Sequence, residues 1–296
     1  MPKLCPSRTL LNTATKDGTA IAALNFYNAE TLIAHVRAAN ALNASIILQT
    51  TEATIDYLGL PVILGLAHAA AAESQKPISL HLDHGSSYEL AARCIDAGYT
   101  SVMIDGSKLP FTENCAVTRR VVNLAHAADV SVEGELGHVG QNSDSVSEDP
   151  TETFTRPEDA ARFVQETNVD TLAVAVGTAH GFYKGAVRID FQRLEEISDR
   201  IPDTPLVLHG GSGVSAELLR QAIACGIRKI NFGTELKSAF TSAVKNSLCF
   251  SEDIDLRRTF QPAIDAVEII SRAKIMICSG IMICSEHRVE RQTSSS

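Results

Sequence analysis

Three histidines stand beside glycine in short polar clusters. They are His84 in His81-Leu82-Asp83-His84-Gly85, His180 in Gly177-Thr178-Ala179-His180-Gly181, and His209 in His209-Gly210-Gly211-Ser212-Gly213. A neutral imidazole is a metal ligand at physiological pH. Three of them around one point, with a fourth position open to substrate, form a familiar catalytic zinc arrangement. Taken singly, each is explained as well by a polar residue closing a strand; the three together favour a metal. His81 lies three residues before His84 and should point the other way along a strand, so it reads as structural. His35, His68 and His126 fall on helical segments and read as packing or surface residues. His138 falls in a polar loop and His287 in the tail, and both are weak candidates.

Carboxylates and a glycine-rich turn accompany the histidines. Asp83 adjoins His84 but faces differently along the strand, which leaves three roles open: a ligand, a group that orients a ligand, or a general acid/base. Asp105 in Asp105-Gly106-Ser107 and Glu135 in Glu133-Gly134-Glu135 read either as parts of a structural polar network or as partners of the metal, up to an alternative metal position. Gly210-Gly211-Ser212-Gly213 allows a backbone to approach an anion closely, and Asn231-Phe232-Gly233-Thr234 adds donors nearby.

These clusters need elements that deliver them to one place. Short apolar runs alternate with longer Ala- and Glu-rich segments, and eight runs read as strands: Ile21–Asn25, Ser45–Gln49, Ile78–Leu82, Ser101–Ile104, Ser131–Glu135, Thr171–Val176, Leu206–Leu208 and Lys229–Phe232. Continuous apolar runs suit parallel strands covered on both faces. Eight such units predict a single-domain α/β fold, a (β/α)8 TIM barrel over residues 1–285, with 286–296 as a disordered tail. A doubly wound sheet is disfavoured because no G-x-G-x-x-G follows the first strand. In a barrel the polar clusters share the C-terminal rim, where the loops after strands seven and eight commonly hold phosphate. The polar stretch 137–156 is too long for an ordinary connection and reads as a lid or a disordered insert. Ile275–Ser279 and Ile281–Ser285 both read IMICS, too short a duplication for a solenoid repeat.

Composition narrows the partners. The chain has 296 residues, 26 Lys plus Arg against 35 Asp plus Glu, and a net charge of −9, which disfavours nucleic acid and anionic membranes. Aromatic residues make up 5% with no Trp, which also disfavours a base-stacking surface. Seven cysteines without C-x-x-C spacing fit free thiols in the cytoplasm. No signal peptide and no membrane span are expected.

Together these residues resemble the class II, zinc-dependent sugar-bisphosphate aldolases, closest to the tagatose-bisphosphate branch of the fructose/tagatose enzymes. The matching stretches are HLDHG at 81–85, MIDGS at 103–107, VEGELG at 132–137, DTLAVAVGTAHGFYK at 170–184, IDFQRLEEI at 189–197, PLVLHGGSG at 205–213, KINFGTELK at 229–237 and PAIDAVEIISRAKIMIC at 262–278. They run in order with family-like spacing over about residues 8 to 280.

The resemblance implies that His84, His180 and His209 hold Zn²⁺ and that Asp83 donates and accepts the proton. It implies that Gly181, Gly210, Gly211, Ser212, Asn231, Phe232, Gly233 and Thr234 bind dihydroxyacetone phosphate, with a monovalent cation (Na⁺ or K⁺) near the phosphate. Asp105 and Glu135 match carboxylates that can hold zinc in an alternative position, and Thr51 matches a small hydroxylated rim residue. The implied reaction is reversible cleavage of a ketose 1,6-bisphosphate, tagatose or fructose, to dihydroxyacetone phosphate and glyceraldehyde 3-phosphate. Its alternatives are another phosphorylated ketose as substrate, or a non-catalytic aldolase-like partner subunit. A homodimer or homotetramer is implied, and in some tagatose enzymes an accessory subunit.

The chain departs from the family pattern at two places. Asp144 is the nearest match to an acidic loop residue that exchanges protons with the ketone fragment, and the end reads Cys278-Ser279-Gly280 rather than Cys-Gly-Ser, so Arg288 and the second phosphate stay unassigned. A Schiff-base mechanism on the same fold is disfavoured, because Lys229 starts strand eight at the wrong end and Lys108 and Lys184 lie in loops. A zinc hydrolase is disfavoured by the glycine-rich phosphate loops.

Overall fold

Strands one to eight form where the apolar runs predict them: β1 (Ile21–Asn25), β2 (Ile46–Thr51), β3 (Ile78–Gly85), β4 (Ser101–Ile104), β5 (Ser131–Leu136), β6 (Thr171–Val174), β7 (Leu206–Leu208) and β8 (Ile227–Phe232). In this computed structural model, which describes residues 4–139, 153–183, 185–250 and 253–281, each strand pairs in parallel with the next. β8 returns to β1 through Ile21↔Lys229 to Leu24↔Phe232, so the barrel closes. The helices are α1 (Ser7–Asp17), α2 (Ala29–Ala41), α3 (Glu52–Leu58), α4 (Leu60–Glu73), α5 (Tyr88–Ala97), α6 (Phe111–Ala127), α7 (Pro157–Thr167), α8 (Phe191–Arg200), α9 (Ala216–Ala224), α10 (Thr234–Phe250) and α11 (Leu256–Ser279). The fold is a single-domain (β/α)8 barrel.

Caps set several helix starts. Asn28 accepts from Thr31 N–H in a reciprocal capping box at α2, and Ser87 and Ser215 accept from Leu90 and Leu218 at α5 and α9. Between strands and helices, Leu24, Leu48, Leu82, Val132 and Leu172 of the strands belong to one buried cluster with Leu32, Ile63, Val121 and Phe163 of the helices. Burial of such side chains drives the assembly, at about 1.5–3 kcal/mol each.

Inside the barrel the two ends differ. At the N-terminal end, Leu10 and Leu11 of α1 pack on Ala23 of β1 and Ile47 of β2. There Ser7 Oγ meets Ser101 Oγ at 2.8 Å, and Arg8 N–H donates to Ser131 Oγ at 3.1 Å. Above this plug the lining is polar: Asn25, Gln49, His81, Glu133 and Lys229 are all buried.

Boundaries moved for local reasons. β3 extends to Gly85 because Thr51 pairs with Asp83 and Ile104 with Gly85 across a register shift. β6 stops at Val174 because Thr155 bonds both the N–H and the carbonyl of Ala175, and Asp190 N–H donates to Val176 O. β8 begins at Ile227, so Lys229 is its third residue rather than its first. The expected lid falls largely at 140–152, and the tail and most of the second IMICS at 282–296; both lie outside the described residues, as do Asp144, Lys184, His287 and Arg288. Among the described residues no single helix is long and apolar enough to cross a membrane.

Candidate functional site

The strand ends carry Asp83, His84, Asp105, Glu135, His180 and His209 to one rim. His84 gets there by an irregularity. Its φ is +51°, in the left-handed region, beside the register shift between β3 and β4. A regular strand would send Asp83 and His84 to opposite faces. The left-handed turn brings both to the site, at a backbone cost of about 1–2 kcal/mol.

The three imidazoles converge. His209 Nδ1 lies 3.1 Å from His84 Nε2, and His84 and His180 meet edge to face with centroids 4.9 Å apart. His209 and His180 are 5.9 Å apart by the same measure. Each of the three offers a ring nitrogen within 4.8 Å of the other two, and His180 Nε2 is buried without a hydrogen-bond partner. Ligand nitrogens of a tetrahedral zinc site are about 3.3 Å apart, given Zn–N bonds of about 2.0–2.1 Å. The unpartnered nitrogen and the close His84–His209 approach both fit a dication among the three rings. His84, Asp105 and Glu135 form a second convergent set.

The carboxylates divide the work of orienting and charging the site. Asp105 Oδ2 accepts from His84 Nδ1 at 2.9 Å, while its Oδ1 accepts from Ser107 N–H at 3.1 Å and Ser107 Oγ at 2.7 Å. That bond leaves His84 Nε2 for the site. Burial opposes protonation of His84, but the bond to Asp105 and the charges of Asp83 and Glu135 outweigh it and raise its pKa to about 9. Burial opposes ionisation of Asp105, and the bonds from His84 and Ser107 overcome it, holding the carboxyl below the usual range. Burial, then His84, depress His180 to about 4, and burial holds His209 well below the ordinary histidine value. Glu135 is pushed up to about 8 by burial and by Asp105, and its Oε2 is a buried oxygen without a hydrogen bond, 3.6–3.7 Å from His209 Nδ1 and His84 Nδ1.

Asp83 is held differently. Its Oδ1 is 4.0 Å from His84 Nε2. Asn25 and Gln49 donate to Oδ2 at 2.9 and 3.3 Å, and Asn231 donates to Oδ1 at 3.1 Å. Burial disfavours its charge, but His84, His209, Lys229 and the Asn25 bond prevail and lower its pKa. Asn25 and Gln49 were not singled out from sequence, although each ends a predicted strand on a polar side chain.

The glycine-rich turn lies beside the histidines. Gly210 has φ +68°, and a Cβ there would strike the carbonyl of Ala179, next to His180. At Gly211 a Cβ would stand 2.6 Å from Ile230 Cγ2. Tyr183 ties the two loops: its hydroxyl donates to Gly210 O and accepts from Ala179 N–H, both at 2.9 Å. Gly181 is in the loop with φ +96°. Ser212 Oγ accepts from Gly233 N–H at 3.2 Å and Glu235 N–H at 3.4 Å, and Thr234 starts α10. The helix at this rim, α10, has 17 residues. The Phe232 side chain is fully buried, with Lys274 Nζ 5.1 Å from its ring centroid. Thr51 ends β2 with Oγ1 3.3 Å from Thr54 Oγ1.

His81 is structural, as expected, with Nδ1 2.7 Å from Ser101 Oγ. His35 is buried between Ser271 and the Asn25 carbonyl, and His126 contacts Asp170. Lys229 sits within the barrel rather than at its far end, with Nζ 2.7 Å from Glu133 Oε2.

A family model described as class II fructose-bisphosphate aldolase matches residues 6–281. The YdjI aldolase from Escherichia coli K12 is 31% identical, with 93% of this chain and 97% of that chain covered and a TM-score of 0.82. A fructose-bisphosphate aldolase from Campylobacter jejuni is 21% identical over 95% of this chain and 97% of that one, with a TM-score of 0.79, a likeness of fold.

Proposed function

Because the chain belongs to the class II fructose-bisphosphate aldolase family and is an aldolase, we propose that it cleaves a ketose 1,6-bisphosphate reversibly, using zinc held by His84, His180 and His209. The observation that carries this reading is the convergence of three imidazole nitrogens with Asp83 Oδ1 4.0 Å from one of them. The bound metal supplies Lewis-acid stabilisation of negative charge on the ketone fragment's oxygens. The remaining work falls to side chains and backbone.

Asp83 takes the proton from the C4 hydroxyl in cleavage and returns it in condensation. As that proton leaves, the C4 oxygen becomes the aldehyde, the C3–C4 bond breaks, and its electron pair passes to the ketone fragment. The depressed pKa of Asp83 keeps it a base at neutral pH, and the amides of Asn25, Gln49 and Asn231 fix where its oxygens stand. Gly181, Gly210, Gly211, Ser212 and the main chain of 231–234 take one phosphate, which places the reacting carbons. Asp105 sets the His84 ring, and Asp105 and Glu135 together offer a second position for the metal.

Activity lost to a chelator and surviving borohydride in the presence of substrate supports the zinc route; the reverse result overturns it. Comparing tagatose and fructose bisphosphates in one cleavage assay identifies the sugar, and turnover of another phosphorylated ketose alone points to the related substrate class. The same assay run on the isolated chain tests the accessory subunit, and run with Na⁺, K⁺ or neither it tests the monovalent cation. The six described cysteines are free thiols, which supports a cytoplasmic location. Self-association as a homodimer or homotetramer is supported by exposed Leu248, Phe250, Ile254 and Leu256 where α10 meets α11, and sedimentation measures it.

A further inference from the structure

His209 presents its two ring nitrogens to two different environments. Nδ1 faces the site, 3.1 Å from His84 Nε2. Nε2 faces down into the barrel, 2.8 Å from Glu133 Oε1. A neutral imidazole has one N–H and one lone pair, and only the lone pair binds a metal. The carboxylate below accepts a proton bond and gives none, so it holds the N–H on Nε2 and leaves the lone pair on Nδ1.

The other oxygen of Glu133 is equally constrained. Lys229 Nζ donates to Oε2 at 2.7 Å, and an ammonium has no acceptor. Nζ also lies 3.3 Å from His81 Nε2, so His81 accepts there and donates from Nδ1 to Ser101 Oγ at 2.7 Å. Ser101 Oγ continues to Ser7 Oγ of α1 at 2.8 Å. Glu133, Lys229, His81 and His209 are at most 1% exposed, so no solvent relaxes these directions. Every donor in the chain from α1 to the rim is thus oriented by one residue that can only donate.

We infer that Glu133 is a positioning residue that fixes the metal-binding tautomer of His209, and that Lys229 dictates which oxygen of Glu133 does so. The inference rests on the three-histidine metal site proposed above. A mere buried ion pair would stabilise the barrel without touching the tautomer.

The substitution Glu133→Gln separates the two. With Lys229 present, the amide must turn its oxygen to Nζ. Its NH₂ then faces His209 Nε2, which becomes the acceptor, and the ring proton moves to Nδ1. In Glu133→Gln/Lys229→Met the amide is free to turn over: its oxygen accepts from His209 Nε2 and its NH₂ donates to His81 Nε2. Glu133→Leu/Lys229→Met fills the same space with no acceptor.

The readouts are the Zn²⁺ dissociation constant, by competition with a chromophoric chelator, and the visible absorption of the Co²⁺ form. Thermal unfolding of the zinc-free proteins monitors the fold. E133Q should bind about tenfold or more weakly, E133Q/K229M should return to within about threefold of wild type, and E133L/K229M should fall again by about tenfold. E133Q binding within about threefold of wild type, or E133Q/K229M binding no better than E133L/K229M, overturns the inference. If E133Q does not fold, the two double variants decide between them. A wild-type chain that binds no zinc removes the metal site and this inference together; wild-type binding with a flat variant series removes only the inference.

Discussion

Asp83 is a carboxylate surrounded by amide donors rather than by a committed cation. Asn25, Gln49 and Asn231 all donate to it, and none of them is a ligand in the histidine cluster. Removing it should therefore leave the metal in place. Asp83→Ala is expected to keep full zinc content and to lose about 10²–10⁴ in turnover, the usual worth of a positioned acid/base. Metal analysis and a cleavage assay check both halves, and near-full turnover would show that the proton goes elsewhere. His84→Ala should do the opposite and lose the metal, since it belongs to both convergent sets. These residues were legible because they close a predicted strand just before Gly85, in a polar cluster that two other His-Gly clusters match. Glu133 and Lys229 do not read as part of the site from sequence, because Glu133 falls inside a predicted strand and Lys229 starts another at the end away from the rim. The signal that could have found them is the step of two: Glu133 with Glu135, His81 with Asp83, Lys229 with Asn231 and Asn25 with Ala23 share one face of their strands.

Among the elements, the loops after β6 and β7 are braced against one another. Tyr183 bonds Ala179 and Gly210, the neighbours of His180 and His209. Gly210 allows this approach because no Cβ stands between it and the Ala179 carbonyl. Gly210→Ala should strain the φ of +68° and push that carbonyl away, taking His180 with it. The expected cost is about 1–3 kcal/mol of stability. A melt of the zinc-free protein measures that part, and zinc titration should show weaker binding as well. Unchanged zinc affinity would mean that the two loops place their histidines independently. The start of every strand fell within two residues of the sequence reading, since apolar runs mark buried parallel strands well. The ends were harder, because they depend on partners distant in sequence, such as Thr155 for β6 and Thr51 for β3.

For the whole molecule, closure of the barrel depends on a seam that sequence periodicity does not reveal. α11, 24 residues long, packs on α2, α10 and β1. His35 of α2 sits in that seam, fully buried, with Nδ1 2.8 Å from Ser271 Oγ of α11 and Nε2 3.1 Å from the carbonyl of Asn25 at the end of β1. Burial lowers its pKa from 6.5 to about 4, against a smaller upward pull from the Asn25 carbonyl. The unfolded chain therefore binds a proton at His35 more readily than the folded one between about pH 6.5 and pH 4. Its contribution to stability is complete above pH 6.5 and declines as pH falls through that window. At pH 5 the loss from this one group should reach about 2 kcal/mol, at 1.36 kcal/mol per pH unit. His35→Gln keeps a polar side chain that does not titrate. Wild type should be the more stable protein at pH 7, and its advantage over the variant should shrink by about that amount at pH 5. Denaturant unfolding of both proteins at the two pH values measures the difference, and other titrating groups cancel in the comparison. A constant gap would mean that the buried imidazole takes up its proton as easily as in the open chain, and that the α2–α11 seam opens to water while the barrel stays closed.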